Sequence, residues 1–143
     1  MFLGEYNYKI DDKKRLALPS KFRENLGKKA VITRGLDNCL FLYPMKDWRE
    51  LAEKLSKLPI SQADARGFAR IMLAGAMEVN IDRLGRILVP DYLKKYAGLK
   101  KETIVAGLYN RVEIWSRETW NNYKQKTEKE AGNIAERLKE LGV

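Results

Sequence analysis

Two stretches of the 143-residue chain carry the same charged pair at the same spacing. Residues 9–19 read Lys-Ile-Asp-Asp-Lys-Lys-Arg-Leu-Ala-Leu-Pro, and residues 80–90 read Asn-Ile-Asp-Arg-Leu-Gly-Arg-Ile-Leu-Val-Pro. In each, Ile-Asp is followed after three residues by Arg, then by three apolar residues and Pro. An aspartate at the head of a tight turn accepts hydrogen bonds from backbone N–H groups two or more residues on, which shapes the turn. An arginine four residues later stands at the turn's exit. Its guanidinium is planar, permanently charged and forked, so it suits a phosphate or the edge of a guanine. The carboxylate can also hold that arginine in one rotamer, which reduces the entropy lost on binding.

Asp11 and Asp82 are therefore read as turn-shaping residues, and Arg15 and Arg86 as the groups that the turns present. Lys13, Lys14 and Arg83 add positive charge at the tips, and Lys21 and Arg23 follow on the next element. Gly85 occupies the last turn position of the second copy, where a positive φ is expected. The first copy has Lys14 there, and an alike backbone would strain it by about 1 kcal/mol. One such turn alone reads as ordinary turn chemistry. Its duplication points to function, because a pseudo-two-fold would set both arginines on one face.

The remaining chemistry is sparse. The chain has no histidine and a single cysteine, Cys39. This excludes His-based triads and common Cys/His zinc sites, and a lone cysteine fits a reducing cytoplasm. Cys39 lies in an apolar run and reads as a packed residue. There is no glycine-rich phosphate loop and no cluster of metal ligands, so the expectation is a non-enzyme with no cofactor, metal or small-molecule substrate. Lys and Arg number 28 against 19 Asp and Glu, a formal charge of +9, which favours an acidic partner such as nucleic acid. The N-terminal residues lack the pattern of a signal peptide, and the longest strongly apolar run, 71–77, is too short to cross a bilayer.

The elements that must position these tips are themselves repeated. A shift of 71 lays Ile10 on Ile81, Asp11 on Asp82, Arg15 on Arg86, Pro19 on Pro90 and Gly27 on Gly98. A shift of 72 then lays Ile32 on Ile104, Gly35 on Gly107, Leu36 on Leu108, Asn38 on Asn110 and Trp48 on Trp120. Identities at fixed spacing mark an internal repeat. Each copy reads as strand, turn, strand, short helix and two strands. In the first copy the strands are 5–10, 15–18, 30–34 and 39–43, with a helix from Pro19 to Gly27 burying Phe22 and Leu26. In the second they are 78–81, 86–89, 103–106 and 111–115, with a helix over 90–96. Between the copies, Trp48, Leu51, Leu55 and Leu58 recur at helical spacing up to Pro59. Ser61 then looks like an N-cap for a helix that carries Ala65, Phe68, Ala69, Met72, Leu73 and Ala76. After the second copy, Trp120, Tyr123, Thr127, Ile134, Leu138 and Leu141 line one face of a charged helix. That face either covers the sheets or is offered to another subunit.

The motifs resemble those of the MraZ family. The resemblance rests on F-L-G-E-Y-x-Y-x-I-D-x-K-x-R-L-x-L-P-S-K-F-R-E from residue 2, R-G-L-D-N-C-L-F-L-Y-P over 34–44 and A-R-x-F-x-R over 65–70. A-G-A-x-E-V-N-I-D-x-x-G-R-I-L-V-P over 74–90 and N-R-V-E-I-W over 110–115 complete it. It extends to about Trp120, and the first motif departs from the family pattern in having Lys14 where glycine usually precedes the arginine.

The resemblance implies an α+β fold of two tandem, pseudo-two-fold-related halves like SpoVT/AbrB domains. The implied divisions are 5–47 and 76–119 for the halves, 48–75 for a helical linker and 120–143 for a charged C-terminal helix. It further implies a cytoplasmic, nucleoid-associated regulator, usually a repressor of the division and cell wall gene cluster. Such a protein binds double-stranded DNA through the two Asp-x-x-x-Arg motifs and forms ring-like homo-oligomers. A ring could meet repeated promoter sites about 10 bp apart and gain affinity through multivalency. The other reading is an oligomeric protein-interaction scaffold or antitoxin-like module on the same fold, with the tail helix and Trp48 and Trp120 as its working surface.

Overall fold

The computed structural model describes residues 1–143. The strands are β1 (Phe2–Lys9), β2 (Arg15–Ala17), β3 (Lys29–Arg34), β4 (Leu40–Pro44), β5 (Met77–Asn80), β6 (Arg86–Leu88), β7 (Glu102–Tyr109) and β8 (Arg111–Ser116). The helices are α1 (Ser20–Leu26), α2 (Met45–Ser56), α3 (Ala63–Ala69), α4 (Asp91–Tyr96) and α5 (Arg117–Arg137). The fold is α+β, and the repeated order of strand, turn, strand, helix and two strands is present in both copies.

Six strands form an antiparallel sheet in the order β1-β7-β8-β4-β3-β5, and β2 and β6 form a separate two-stranded ribbon. Under the repeat, β1 corresponds to β5, β7 to β3 and β8 to β4, so the sheet reads the same from either edge. Two pairings locate the pseudo-two-fold. Leu16 faces Ile87 in the ribbon, and Phe41 faces Glu113 in the sheet. Each of these pairs consists of equivalent positions in the two copies.

The copies also exchange partners. The first strand of each copy pairs with the third strand of the other, β1 with β7 and β5 with β3. Neither copy therefore closes its sheet alone, as expected of units of about 60 residues that cannot bury a sufficient core by themselves. The ribbon, α1 and α4 pack on one face of the sheet over a core of both copies that includes Leu16, Phe22, Leu42, Ile87, Leu93 and Val112. On the other face Cys39, Phe41, Tyr43, Leu55, Met72, Ile104 and Trp115 form a second core, flanked by Trp48, Leu51 and Trp120.

The region between the copies differs from its expected helical phase. Gln62, not Ser61, precedes α3, and no side chain caps it. After Ala69 the backbone widens into a π turn over Arg70–Ala74. This extra residue shifts the helical phase. Met72 is buried, as its face of the helix predicts, whereas Phe68 is exposed. No helix is long and apolar enough to cross a membrane.

Candidate nucleic-acid interface

Each Asp-x-x-x-Arg segment folds into a turn closed by its own ends. In the first, the Asp11 N–H donates to the Arg15 carbonyl at 2.9 Å and the Lys14 N–H to the Asp11 carbonyl at 3.0 Å. Asp11 Oδ1 accepts the N–H groups of Lys13 and Arg15, both at 2.9 Å, and Oδ2 accepts Arg15 Nε at 2.7 Å. The second turn repeats this. Asp82 Oδ1 accepts the N–H groups of Leu84 and Arg86, both at 2.9 Å, and Oδ2 accepts Arg86 Nε at 2.8 Å. The backbone N–H of each arginine, foremost, and then its side chain hold both carboxyls below the usual aspartate range. Each arginine thus spends one N–H on its own turn, and its outer Nη groups make no hydrogen bond within the chain.

The ribbon sets the two arginines relative to one another. Arg15 pairs with Leu88, and Arg86 with Ala17. Strand side chains alternate, and Leu16 and Ile87 point into the core. Arg15 and Arg86 therefore share the outer face. They are diagonal neighbours across the pseudo-two-fold, about 7–8 Å apart between their backbones.

Cross-bonds tie each tip to the other copy. The Leu18 N–H donates to the Gly85 carbonyl at 2.9 Å, and the Val89 N–H to the Lys14 carbonyl at 3.0 Å. The tips cannot move independently of the strands that follow the opposite arginine.

Other predicted residues divide into those at the tips and those apart from them. Lys14 adopts φ 63° and Gly85 φ 74°, so the lysine shares the left-handed conformation of the glycine. Lys14 Nζ lies 2.7 Å from Asp91 Oδ1, an ion pair with a helix of the second copy. Lys13 and Arg83 are exposed at the tips with no ion-pair partner, although they are not equivalent positions: Arg83 corresponds to Asp12. Lys21 is exposed on α1 and makes no hydrogen bond or ion pair to either tip.

Arg23 lies against the second tip instead of the first. A Cβ added to Gly85 would collide with Arg23 Nε, so the guanidinium occupies the space that the glycine leaves open. Arg23 Nε and Nη2 both donate to the Leu18 carbonyl at 3.1 Å. Asp91 is the tip neighbour that sequence reasoning missed. The only available signal was its alignment with Ser20 under the shift of 71, a polar-to-acidic change with no local motif.

These features define a class: a tandem-repeat α+β protein whose two copies close into one pseudo-symmetric head with a pair of aspartate-held arginines on its face. A family model described as "MraZ protein, putative antitoxin-like" matches residues 1–71 and again 72–141. The chain is 50% identical to a protein of Clostridium tetani (strain Massachusetts / E88) and 51% identical to one of Moorella thermoacetica (strain ATCC 39073 / JCM 9320). Each alignment spans 143 residues and all of both chains, and both relatives bear the name transcriptional regulator MraZ. A protein of Natranaerobius thermophilus with that name is 48% identical over the same span. The chain belongs to the MraZ family.

Proposed function

We propose that the protein is a transcription regulator that binds double-stranded DNA in a sequence-specific manner. In this reading it represses the division and cell wall gene cluster from the cytoplasm, on the nucleoid, as a ring-like homo-oligomer. The observation that carries this reading is the placement of Arg15 and Arg86. They are diagonal neighbours on the outer face of a two-stranded ribbon, each held by its own aspartate, with their Nη groups free. A two-stranded ribbon fits the major groove, and a guanidinium with a free edge can read O6 and N7 of guanine or hold a phosphate. Lys13 and Arg83 supply nearby charge for the backbone, and the overall charge of +9 favours approach to DNA. Repression follows from occupying a promoter and needs no reaction on the DNA.

The test is a gel shift on the DNA upstream of the protein's own gene, with light scattering in parallel. Wild-type protein is expected to shift this fragment in preference to unrelated duplex and to scatter as a closed oligomer. Replacing both Arg15 and Arg86 by Ala is expected to abolish the shift without changing the oligomer. Unchanged affinity in the double variant would end the DNA reading of the tips. The antitoxin-like or scaffold reading would then stand on the C-terminal half of α5, whose side chains beyond Tyr123 are mostly exposed. A monomer at micromolar concentration would remove the ring.

A further inference from the structure

The pseudo-symmetric head is not electrically symmetric. Asp91 pairs with Lys14 of the first turn and Arg23 covers Gly85 of the second. Taken with their equivalents under the shift of 71, the two sets are 11–15 with Asp91 and Lys94, and 82–86 with Ser20 and Arg23. The first set has three acids and four bases, a charge of +1. The second has one acid and three bases, a charge of +2.

Geometry enlarges this difference. At the first tip Lys14 is held by Asp91, with Nζ within 2.8 Å of both carboxylate oxygens. At the second tip the guanidinium of Arg23 is held over Gly85 by two hydrogen bonds to the Leu18 carbonyl, and its Nη1 makes no hydrogen bond within the chain. Lys94 makes no corresponding bond to the carbonyl of Val89, the equivalent of Leu18. A shallow depression of about 540 Å³ opens beside the second turn, with Arg23, Lys28 and Arg83 as its basic side chains. A pre-positioned guanidinium with a free edge is suited to a phosphate oxygen and loses little entropy on binding one.

We propose that Arg23 is a DNA phosphate contact of the second tip, and that the Lys14–Asp91 pair withholds the comparable charge of the first, so that the head grips the two sides of its site unequally. The inference rests on the DNA-binding reading of the tips. Its consequence is polarity. A head of two unequal tips favours a site with direction over a perfect palindrome, and in a ring it would fix which way each subunit faces along repeated DNA.

Phosphate contacts are independent of sequence, so a 30-bp random-sequence duplex is a sufficient probe for the full-length protein. Each contact contributes about 0.9 to the slope of log K against log salt concentration. Arg23→Gln keeps a donor for Leu18 but removes the charge. It is expected to lower the slope by about 0.9 and weaken binding at every salt concentration, while Arg23→Lys retains most of the slope. Asp91→Asn frees Lys14 and is expected to raise the slope by up to about 0.9, a gain lost when Lys14→Met is added. Thermal melting of each variant separates a lost contact from a lost fold.

If Arg23→Gln leaves the slope unchanged while the Arg15→Ala, Arg86→Ala double variant loses the shift of the fragment upstream of the protein's own gene, Arg23 is not a phosphate contact, and the DNA reading survives. If Asp91→Asn leaves the slope unchanged, the tips are not unequal in the way proposed. If wild type and the Arg15→Ala, Arg86→Ala double variant bind both this duplex and the fragment upstream of the protein's own gene alike, the DNA reading of the tips fails and this inference fails with it.

Discussion

Lys14 and Gly85 occupy equivalent turn positions and adopt the same left-handed backbone, φ 63° and φ 74°. Their surroundings differ: Lys14 is open enough to reach Asp91, whereas Gly85 is covered by Arg23.

Substitution at the two positions should therefore act in opposite directions. An L-residue in this region is strained by about 1 kcal/mol. Lys14→Gly relieves that strain and gives up an exposed ion pair that contributes about 0–1 kcal/mol. A modest gain of up to about 1 kcal/mol is expected, visible as a higher denaturation midpoint in urea. Gly85→Ala introduces the strain and forces Arg23 off the tip. A loss of about 1–2 kcal/mol is expected, and equal effects of the two substitutions would show that the tips are packed alike.

The aspartates predict a sensitivity to acid. Their folded-state carboxyls lie below the ordinary aspartate value of about 3.9. A group whose folded value is depressed contributes stability above the unfolded value and loses it as pH falls through the folded one. Wild-type turns should be intact at pH 5 and above and should loosen below about pH 4. Carboxyl chemical shifts of Asp11 and Asp82 followed by NMR are the direct measurement. An Asp11→Asn, Asp82→Asn double variant should show a flatter dependence of melting temperature on pH across this window. An equally steep fall in the variant would place the acid sensitivity elsewhere.

Much of this arrangement was legible in the sequence because it is local. Asp and Arg four residues apart determine their own turn, and Gly27 and Gly98 end the helices that follow Pro19 and Pro90. The repeat gave the symmetry of the head before any strand was paired. The exchange of β1 and β5 between copies was not legible. Strand partners are chosen by the burial of a shared core, and an alternating strand such as β1 carries no label for β7. Arg23 over Gly85 is of the same kind, since the contact joins residues 62 positions apart. In the linker, periodicity put Phe68 and Met72 on one face, but the π turn after Ala69 lies between them, and Met72 is buried while Phe68 is exposed.

The second core contains an acid at the pseudo-two-fold. Glu113 is buried opposite Phe41, and its carboxylate accepts Arg111 Nε at 3.0 Å and Trp115 Nε1 at 3.1 Å. The Arg111 guanidinium also lies 4.7 Å from the centre of the Phe41 ring. Arg111 is only partly buried, so the main loss in Glu113→Ala is the acceptor of the buried Trp115 Nε1, and the fold should be destabilised by about 1–3 kcal/mol. Glu113→Gln keeps an acceptor and should cost distinctly less. Equal losses for Ala and Gln, measured by urea denaturation, would mean that packing volume and not the carboxylate matters there.

Helix α5 divides in function along its length. Its first turns are fastened: Trp120 packs edge-on against Trp115 with ring centres 5.2 Å apart, and its Nε1 donates to Glu5 Oε2 at 2.6 Å. Lys124 Nζ reaches the other oxygen of Glu5, also at 2.6 Å. Beyond Lys124 only Thr127 and Ile134 are even half-buried, so the distal helix adds little to the monomer core. Ending the chain after Gln125 should leave the thermal midpoint within about 2–4 °C of wild type, equivalent to no more than about 1 kcal/mol. Trp120→Ala should lower it more, by about 4–8 °C, equivalent to about 2 kcal/mol for a half-buried aromatic, below the range for a fully buried one. Differential scanning calorimetry of both proteins decides the matter, with light scattering to follow assembly. If the truncated chain melts as low as Trp120→Ala and is also a smaller oligomer, the distal helix stabilises the protein from a neighbouring subunit. If it melts low at unchanged size, the distal helix supports its own chain and the division of α5 at Lys124 is wrong.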